Sequence, residues 1–224
     1  MLNDKRIRVI IGHYGSGKTE FSVNYAMKLA SEGIKTSIAD MDIVNPYFRS
    51  REKAQMMEDA GIRVISGARG HNMNLDLPMV SAEVLAPLQD DSYSLILDVG
   101  GDSVGARAIA RYKAYFQEGK YDMFFVVNAY RTETQTLECV LGHIASIEET
   151  AGAKVTGLIN NTHLLRDTTV ADVMLGQKLV EEVSEKLNLP IKYISTLEAV
   201  AKDLPEGLDG EIFPIKMYMR PDWL

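Results

Sequence analysis

The residues best suited to chemistry sit directly after the first apolar run of the chain: Gly12, His13, Tyr14, Gly15, Ser16, Gly17, Lys18 and Thr19. Their spacing fits G-x-x-x-x-G-K-S/T, with a strand expected before it and a helix after it. Glycines let successive backbone N–H groups turn inward around an anion, and the following helix adds its positive end. Lys18 is placed to neutralise the β- and γ-phosphates of a nucleotide, and Thr19 offers a hard oxygen to Mg²⁺. With Glu20 next in line, residues 12–20 are expected to hold the phosphates.

Two acidic elements follow at later strand ends. Asp40-Met41-Asp42 closes one short apolar run, and two carboxylates at i and i+2 there can hold an Mg-bound water or orient an attacking one. Asp42 is favoured for the attacking water, with Asp40 beside it; the pair could also cap a helix beginning near Ser50. Asp98 ends a second run and is followed by Val99-Gly100-Gly101-Asp102. Asp98 is expected to reach Mg²⁺ through water. The Gly100-Gly101 pair would let backbone N–H sense the γ-phosphate and would permit a switch movement.

These groups must be carried by regular elements, and the sequence alternates them. Apolar runs at residues 7–11, 36–39, 95–99, 123–127, 155–159 and 191–194 read as buried strands. Between them, helical spacing is clearest for Phe21, Tyr25 and Leu29, for Leu137, Val140, Leu141, Ile144 and Ile147, and for Val173, Val180, Val183 and Leu187. Gly33 is placed to end the first helix. Such a pattern predicts an α/β fold, a mostly parallel sheet flanked by helices on both faces, with ligands bound beyond the strands' carboxyl ends. No linker divides residues 1–224, so one nucleotide-binding domain is expected.

Composition bounds the function. A net charge of −7 disfavours a nucleic-acid surface, and 46% apolar residues suffice for a sizeable core. One cysteine, Cys139, excludes an internal disulfide or a cysteine-rich metal site within one chain and fits a cytoplasmic setting. No run is long enough for a membrane span.

The three elements, in this order, resemble the MinD/ParA/CobQ-type branch of P-loop NTPases (the SIMIBI class), which includes nitrogenase iron protein and dethiobiotin synthetase. The resemblance implies a water-activating role for Asp42 and a switch element at Asp98 to Gly101. It also implies a base-binding loop at Asn160-Asn161-Thr162-His163, with Asn160 against the base edge; the alternative is a plain chain turn. Related GTPases carry N-K-x-D there, whereas Asn161 and His163 stand in the lysine and acid positions here, so ATP is preferred. ParA-like and MinD-like members carry a second lysine early in the loop that crosses a dimer interface, and His13 occupies its place. A homodimer is left open.

The expected function is a slow, Mg-dependent ATPase whose nucleotide state switches a protein partner. An ATP-dependent small-molecule kinase or ligase resembling dethiobiotin synthetase, or a regulator that does not hydrolyse, are the alternatives. Substrate or partner contacts would come from residues 46–51 and 67–78. His71, Asn72, Asn74 and Asp76 match no compact metal spacing. Arg131 is expected at the ligand-bearing end of the sheet along with Arg49, Arg51 and Arg107. Cys139 is expected as a small buried thiol. The tail from Met217 to Leu224 is read as packing on the core or on a second subunit.

Overall fold

The computed structural model describes residues 1, 3–42, 53–65, 82–101 and 103–219. The expected helix start near Ser50, Arg49, Arg51, Asp102, residues 67–78 with their His71, Asn72, Asn74 and Asp76, and residues 220–224 lie outside them.

Strands and helices alternate as β1 (Ile7–Ile11), α1 (Lys18–Ser31), β2 (Thr36–Asp40), α2 (Ala54–Asp59), β3 (Arg63–Ile65), α3 (Leu85–Gln89), β4 (Ser94–Asp98), α4 (Ser103–Ala110), β5 (Tyr121–Val127), α5 (Leu137–Ala151), β6 (Gly157–Asn160), α6 (Val170–Leu187), β7 (Ile191–Leu197), α7 (Glu198–Ala201) and β8 (Glu211–Ile215). The strands form one sheet of order β3-β2-β4-β1-β5-β6-β7-β8, and each described pairing is parallel.

Both faces of the sheet are covered, which is why its strands are apolar throughout. Ile7, Val9 and Ile11 of β1 share a core with Ile109 of α4, Val140 and Ile144 of α5 and Val180 of α6. Ile10 points the other way, into a core with Phe21, Tyr25 and Leu29 of α1 and Met57 of α2. The period-2 alternation of a strand therefore feeds two helix layers.

Two strands escaped the sequence reading. β3 has three residues, and β8 is an edge strand containing Pro214 with a partly exposed pattern, so neither shows a long apolar run. Gly33 ends α1 as expected: φ is 76° and its N–H reaches the Ala30 carbonyl at 2.9 Å. Among the described residues, no helix is long and apolar enough to cross a membrane.

Candidate functional site: a phosphate loop and a partly apolar cavity

Parallel strands deliver their carboxyl ends to one edge, and the register fixes which acids meet there. Asp98 of β4 stands opposite Ile10 of β1 and opposite Asp40 of β2. From that edge opens a cavity of about 310 Å³, walled by the loop after β1, by Asp42, by the loops after β5 and β6, by the end of β7, and by the segment following β8.

The loop after β1 is built as an anion site. Gly15 and Gly17 take φ of 76° and 85°, values that L side chains rarely adopt. Gly17 begins α1 without a side-chain cap, whereas Thr169 caps α6 with a full capping box and Thr136 caps α5. The first-turn N–H groups of α1 are thus left to whatever fills the loop. Lys18 is 6% exposed, and its Nζ donates to the His13 carbonyl at 3.1 Å, inside the loop. Neighbouring loops brace the turn: Asn161 Nδ2 donates to Ser16 O at 2.7 Å, and Arg131 Nε donates to Gly15 O at 2.9 Å. A side chain at Gly17 would run into the Asn161 amide. Arg131 reaches the loop because Asn128 shapes the turn before it, accepting the Tyr130 N–H on Oδ1 and the Arg131 N–H on its carbonyl, each at 3.0 Å.

Asp98 is buried beneath this loop. Its Oδ1 accepts the Ser22 hydroxyl at 3.2 Å, while Oδ2 is buried without a hydrogen-bond partner among the described residues. Burial pushes the carboxyl up to about 6, and Asp42 adds to that rise, while the Thr19 and Ser22 hydroxyls and the Lys18 ammonium pull it down. An orphaned acceptor beside a threonine hydroxyl is a donor set that Mg²⁺ can use, because this ion takes hard oxygens and completes its shell with water and phosphate.

The two acids of the β2 end separate in role. Asp42 lines the cavity and lies against Gly100, where an added Cβ would come within 3.2 Å of its Oδ1. Asp40 does not line the cavity; its Oδ1 accepts the Asp42 N–H at 3.1 Å and so shapes the turn that presents Asp42. Gly101 backs onto the loop: a Cβ there would collide with Gly12 O and approach Tyr14 N at 2.8 Å. The Gly101 carbonyl is held at 2.9 Å by His143 Nε2 of α5. Burial pulls the His143 pKa below the usual imidazole value, keeping the ring neutral near pH 7. Its ring meets that of His13 edge-on at 5.5 Å, and His13 in turn lies 3.5 Å from the Glu133 carboxylate. Tyr14 is 52% exposed at the cavity mouth.

Several sequence expectations need correction. Asn160, expected on the base edge, is fully buried: its Nδ2 donates to Val173 O at 3.0 Å and Gln177 Oε1 at 3.2 Å, and its Oδ1 accepts the Thr162 N–H at 3.1 Å. It fastens β6 to α6 and does not line the cavity. Asn161 lines the cavity, but its amide N–H group is committed to the phosphate loop. Glu20 faces the cavity while its carboxylate accepts backbone N–H groups of Tyr218 and Met219. Cys139 is exposed. Met217 and Met219 of the tail wall the cavity with Leu165, Leu197 and Ile215, an apolar end that periodicity did not reveal.

No protein-family model matches the chain. It is 27% identical, over 187 residues, to the cytosolic Fe-S cluster assembly factor CFD1 of Eremothecium gossypii, covering 81% of this chain and 61% of that one. FtsY of Mycoplasma mycoides superposes with a TM-score of 0.57 at 19% identity, covering 86% of this chain and 60% of that one. Chloroplast FtsY of Physcomitrella patens gives 0.55 at 19%, covering 85% and 58%. The chain therefore spans about three fifths of the length of these relatives. Fold and phosphate loop together define the class, a P-loop NTPase. Within that class, the order of loop, paired acids and D-x-x-G element, together with the similarity to CFD1, supports a MinD/ParA-like P-loop protein.

Proposed function

We propose that this protein binds Mg-ATP in the cavity and hydrolyses it slowly, using the nucleotide state to switch a protein partner. The observation that carries the reading is that the phosphate loop and Asp42 line one cavity whose far end is apolar, with Asp98 buried against Thr19 and Lys18 of that loop. Inward N–H groups and Lys18 would hold the β- and γ-phosphates; Arg131, braced on Gly15, adds a second cation to the wall. Thr19 and Asp98 would hold Mg²⁺, which when bound supplies charge neutralisation to the phosphate oxygens. Asp42 would orient and deprotonate water, and Gly101, packed on the loop, would register the γ-phosphate.

Adenine is preferred because guanine offers an N–H edge that a carboxylate reads best. Among the described residues, the carboxylates on the cavity wall are Asp42, against Gly100, and Glu20, occupied by the 218–219 backbone. FtsY of Elizabethkingia anophelis was solved with GDP, but that likeness concerns the fold. The named role of CFD1, iron–sulfur cluster assembly, belongs to that relative. With Cys139 the single cysteine here, a cluster bridged by cysteine pairs is not part of the reading. The single sheet supports one nucleotide-binding domain; a cytoplasmic setting is supported by the name of the cytosolic relative, with a homodimer open to test.

Calorimetric titration with ATP and GTP in excess Mg²⁺, combined with phosphate-release assays, tests this. ATP should bind at least about tenfold tighter than GTP, and Lys18→Ala should weaken ATP by about 100-fold or more through loss of a charge-assisted contact. Asp42→Asn should keep binding and lower turnover by about 10²–10⁴-fold. If Lys18→Ala binds ATP as tightly as the parent, the site assignment is wrong.

A further inference from the structure

The segment after β8 is held by the same helix that opens the phosphate site. Glu20 and Asn24 lie one turn apart on α1 and face residues 216–219. Asn24 Oδ1 accepts the Lys216 N–H and its Nδ2 donates to the Lys216 carbonyl, both at 2.8 Å, so one side-chain amide pairs with a backbone unit as a neighbouring strand would. Asn24 Nδ2 also donates to the Glu20 carbonyl at 2.8 Å, which fixes its rotamer. One turn earlier, Glu20 accepts the Tyr218 N–H on Oε1 and the Met219 N–H on Oε2 at 3.1 Å. Met219 is then driven into the core that holds Phe21 and Tyr25.

This clamp has a chemical consequence at the cavity. Ile215, Met217 and Met219 form one apolar side of it, while Leu165 and Leu197 come from the loop after β6 and the end of β7. Methionine suits a flat aromatic surface: its unbranched chain adapts to shape, and its sulfur makes favourable contacts with rings. Glu20 follows Thr19 directly, so the phosphate grip and this apolar side are joined through a single turn of α1.

We infer that Glu20 and Asn24 are positioning residues for a nucleobase subsite, and that the clamped strap at 216–219 is the wall against which the base packs. The inference rests on the nucleotide reading above and names the part of the cavity that supplies affinity for the base as distinct from the phosphates. It assigns Glu20 no contact with phosphate.

Binding of ATP and of inorganic tripolyphosphate, each with Mg²⁺, separates the two parts. Parent protein should bind ATP more tightly than tripolyphosphate. Glu20→Ala, Asn24→Ala and Met217→Ala should each weaken ATP by about 5–30-fold, in keeping with lost hydrogen bonds and buried apolar surface. Tripolyphosphate affinity should stay within about twofold, a factor well below the effect of one charge-assisted phosphate contact. Met217→Ala leaves the clamp in place and serves where Glu20→Ala fails to fold; Glu20→Gln, which keeps one acceptor oxygen, should restore part of the loss. Parallel loss of ATP and tripolyphosphate, or unchanged ATP binding in all three variants, overturns the base-wall assignment alone. A parent that binds neither ligand overturns the nucleotide reading instead.

Discussion

Asp98 is held in tension between its surroundings and its chemistry. Its folded pKa, raised to about 6 from 3.8, means that the ionised carboxylate is disfavoured in the fold. Its contribution to stability is therefore greatest below pH 3.8 and is lost as the pH rises through about 6. Above that, the fold carries a buried charge. Asp98→Asn should accordingly make the metal-free protein more stable at pH 7.5, by about 1–3 kcal/mol on the scale of 1.36 kcal/mol per pKa unit, while ending the Mg²⁺ requirement for ATP binding. Urea unfolding in chelator at pH 3 and 7.5 checks this: the gain should be present at the higher pH and nearly vanish at the lower, which lies below the unfolded value of 3.8. The phosphate loop and the acids that close β2 and β4 were legible because glycine, lysine and carboxylate at strand ends are constrained by chemistry within a few residues. Glu20 was not, since its partners at 218 and 219 lie almost 200 positions away and only the fold brings them together. Asn160 failed for a similar reason: whether an amide after a strand faces ligand or neighbour depends on how α6 sits.

How α6 sits is decided by Gly176. A Cβ there would collide with Thr162 Oγ1 and Asn160 Oδ1, so α6 lies closer to the end of β6 than any other residue would allow. Gly176→Ala gains helix propensity but must push the helix away, and should destabilise the protein by about 1–3 kcal/mol, the usual cost of overpacking. Thermal unfolding should show a lowered midpoint, and because the β6 loop carries Asn161, ATP affinity should fall as well. An unchanged midpoint would mean that α6 shifts freely. At this scale the inner strands were legible because burial on both faces leaves continuous apolar runs, while β3 and β8 were not, the one having three residues and the other a proline and a partly exposed pattern. Cys139 was misread by one position. The buried stripe of α5 runs Val140, Ile144, Ile147, Ala151, and the preceding residue is turned about 100° off it.

Across the molecule, the two ends of the sheet do different work. The edge carrying the strands' carboxyl ends bears the cavity, and the opposite end is fastened by a buried ionic cluster. Asp4, 8% exposed, accepts the Tyr25 hydroxyl at 2.6 Å and the Tyr193 hydroxyl on Oδ2, and pairs with Lys192 at 2.8 Å on Oδ1. Burial raises the Asp4 pKa, but Lys192 and the two tyrosine hydroxyls together outweigh it, and the net shift is downward. A depressed carboxylate contributes stability above its unfolded value of 3.8, and loses it as the pH falls through its folded one. Asp4→Asn should cost about 2–4 kcal/mol at pH 7, as removal of one partner from a buried pair does. The gap from the parent should close as the pH drops below about 4, and denaturant titrations across pH 3–7 would reveal it. Nucleotide affinity should hardly change, since the cluster lies at the far end of the strands from the cavity.

The lone thiol offers a practical consequence. Cys139 is exposed on α5 one helical turn before His143, whose ring holds the Gly101 carbonyl at 2.9 Å. A maleimide dye attached there needs no engineered cysteine and sits one turn of α5 from the histidine that holds Gly101. Its emission would then follow each cycle of occupancy in real time, turning the unmodified chain into its own optical reporter.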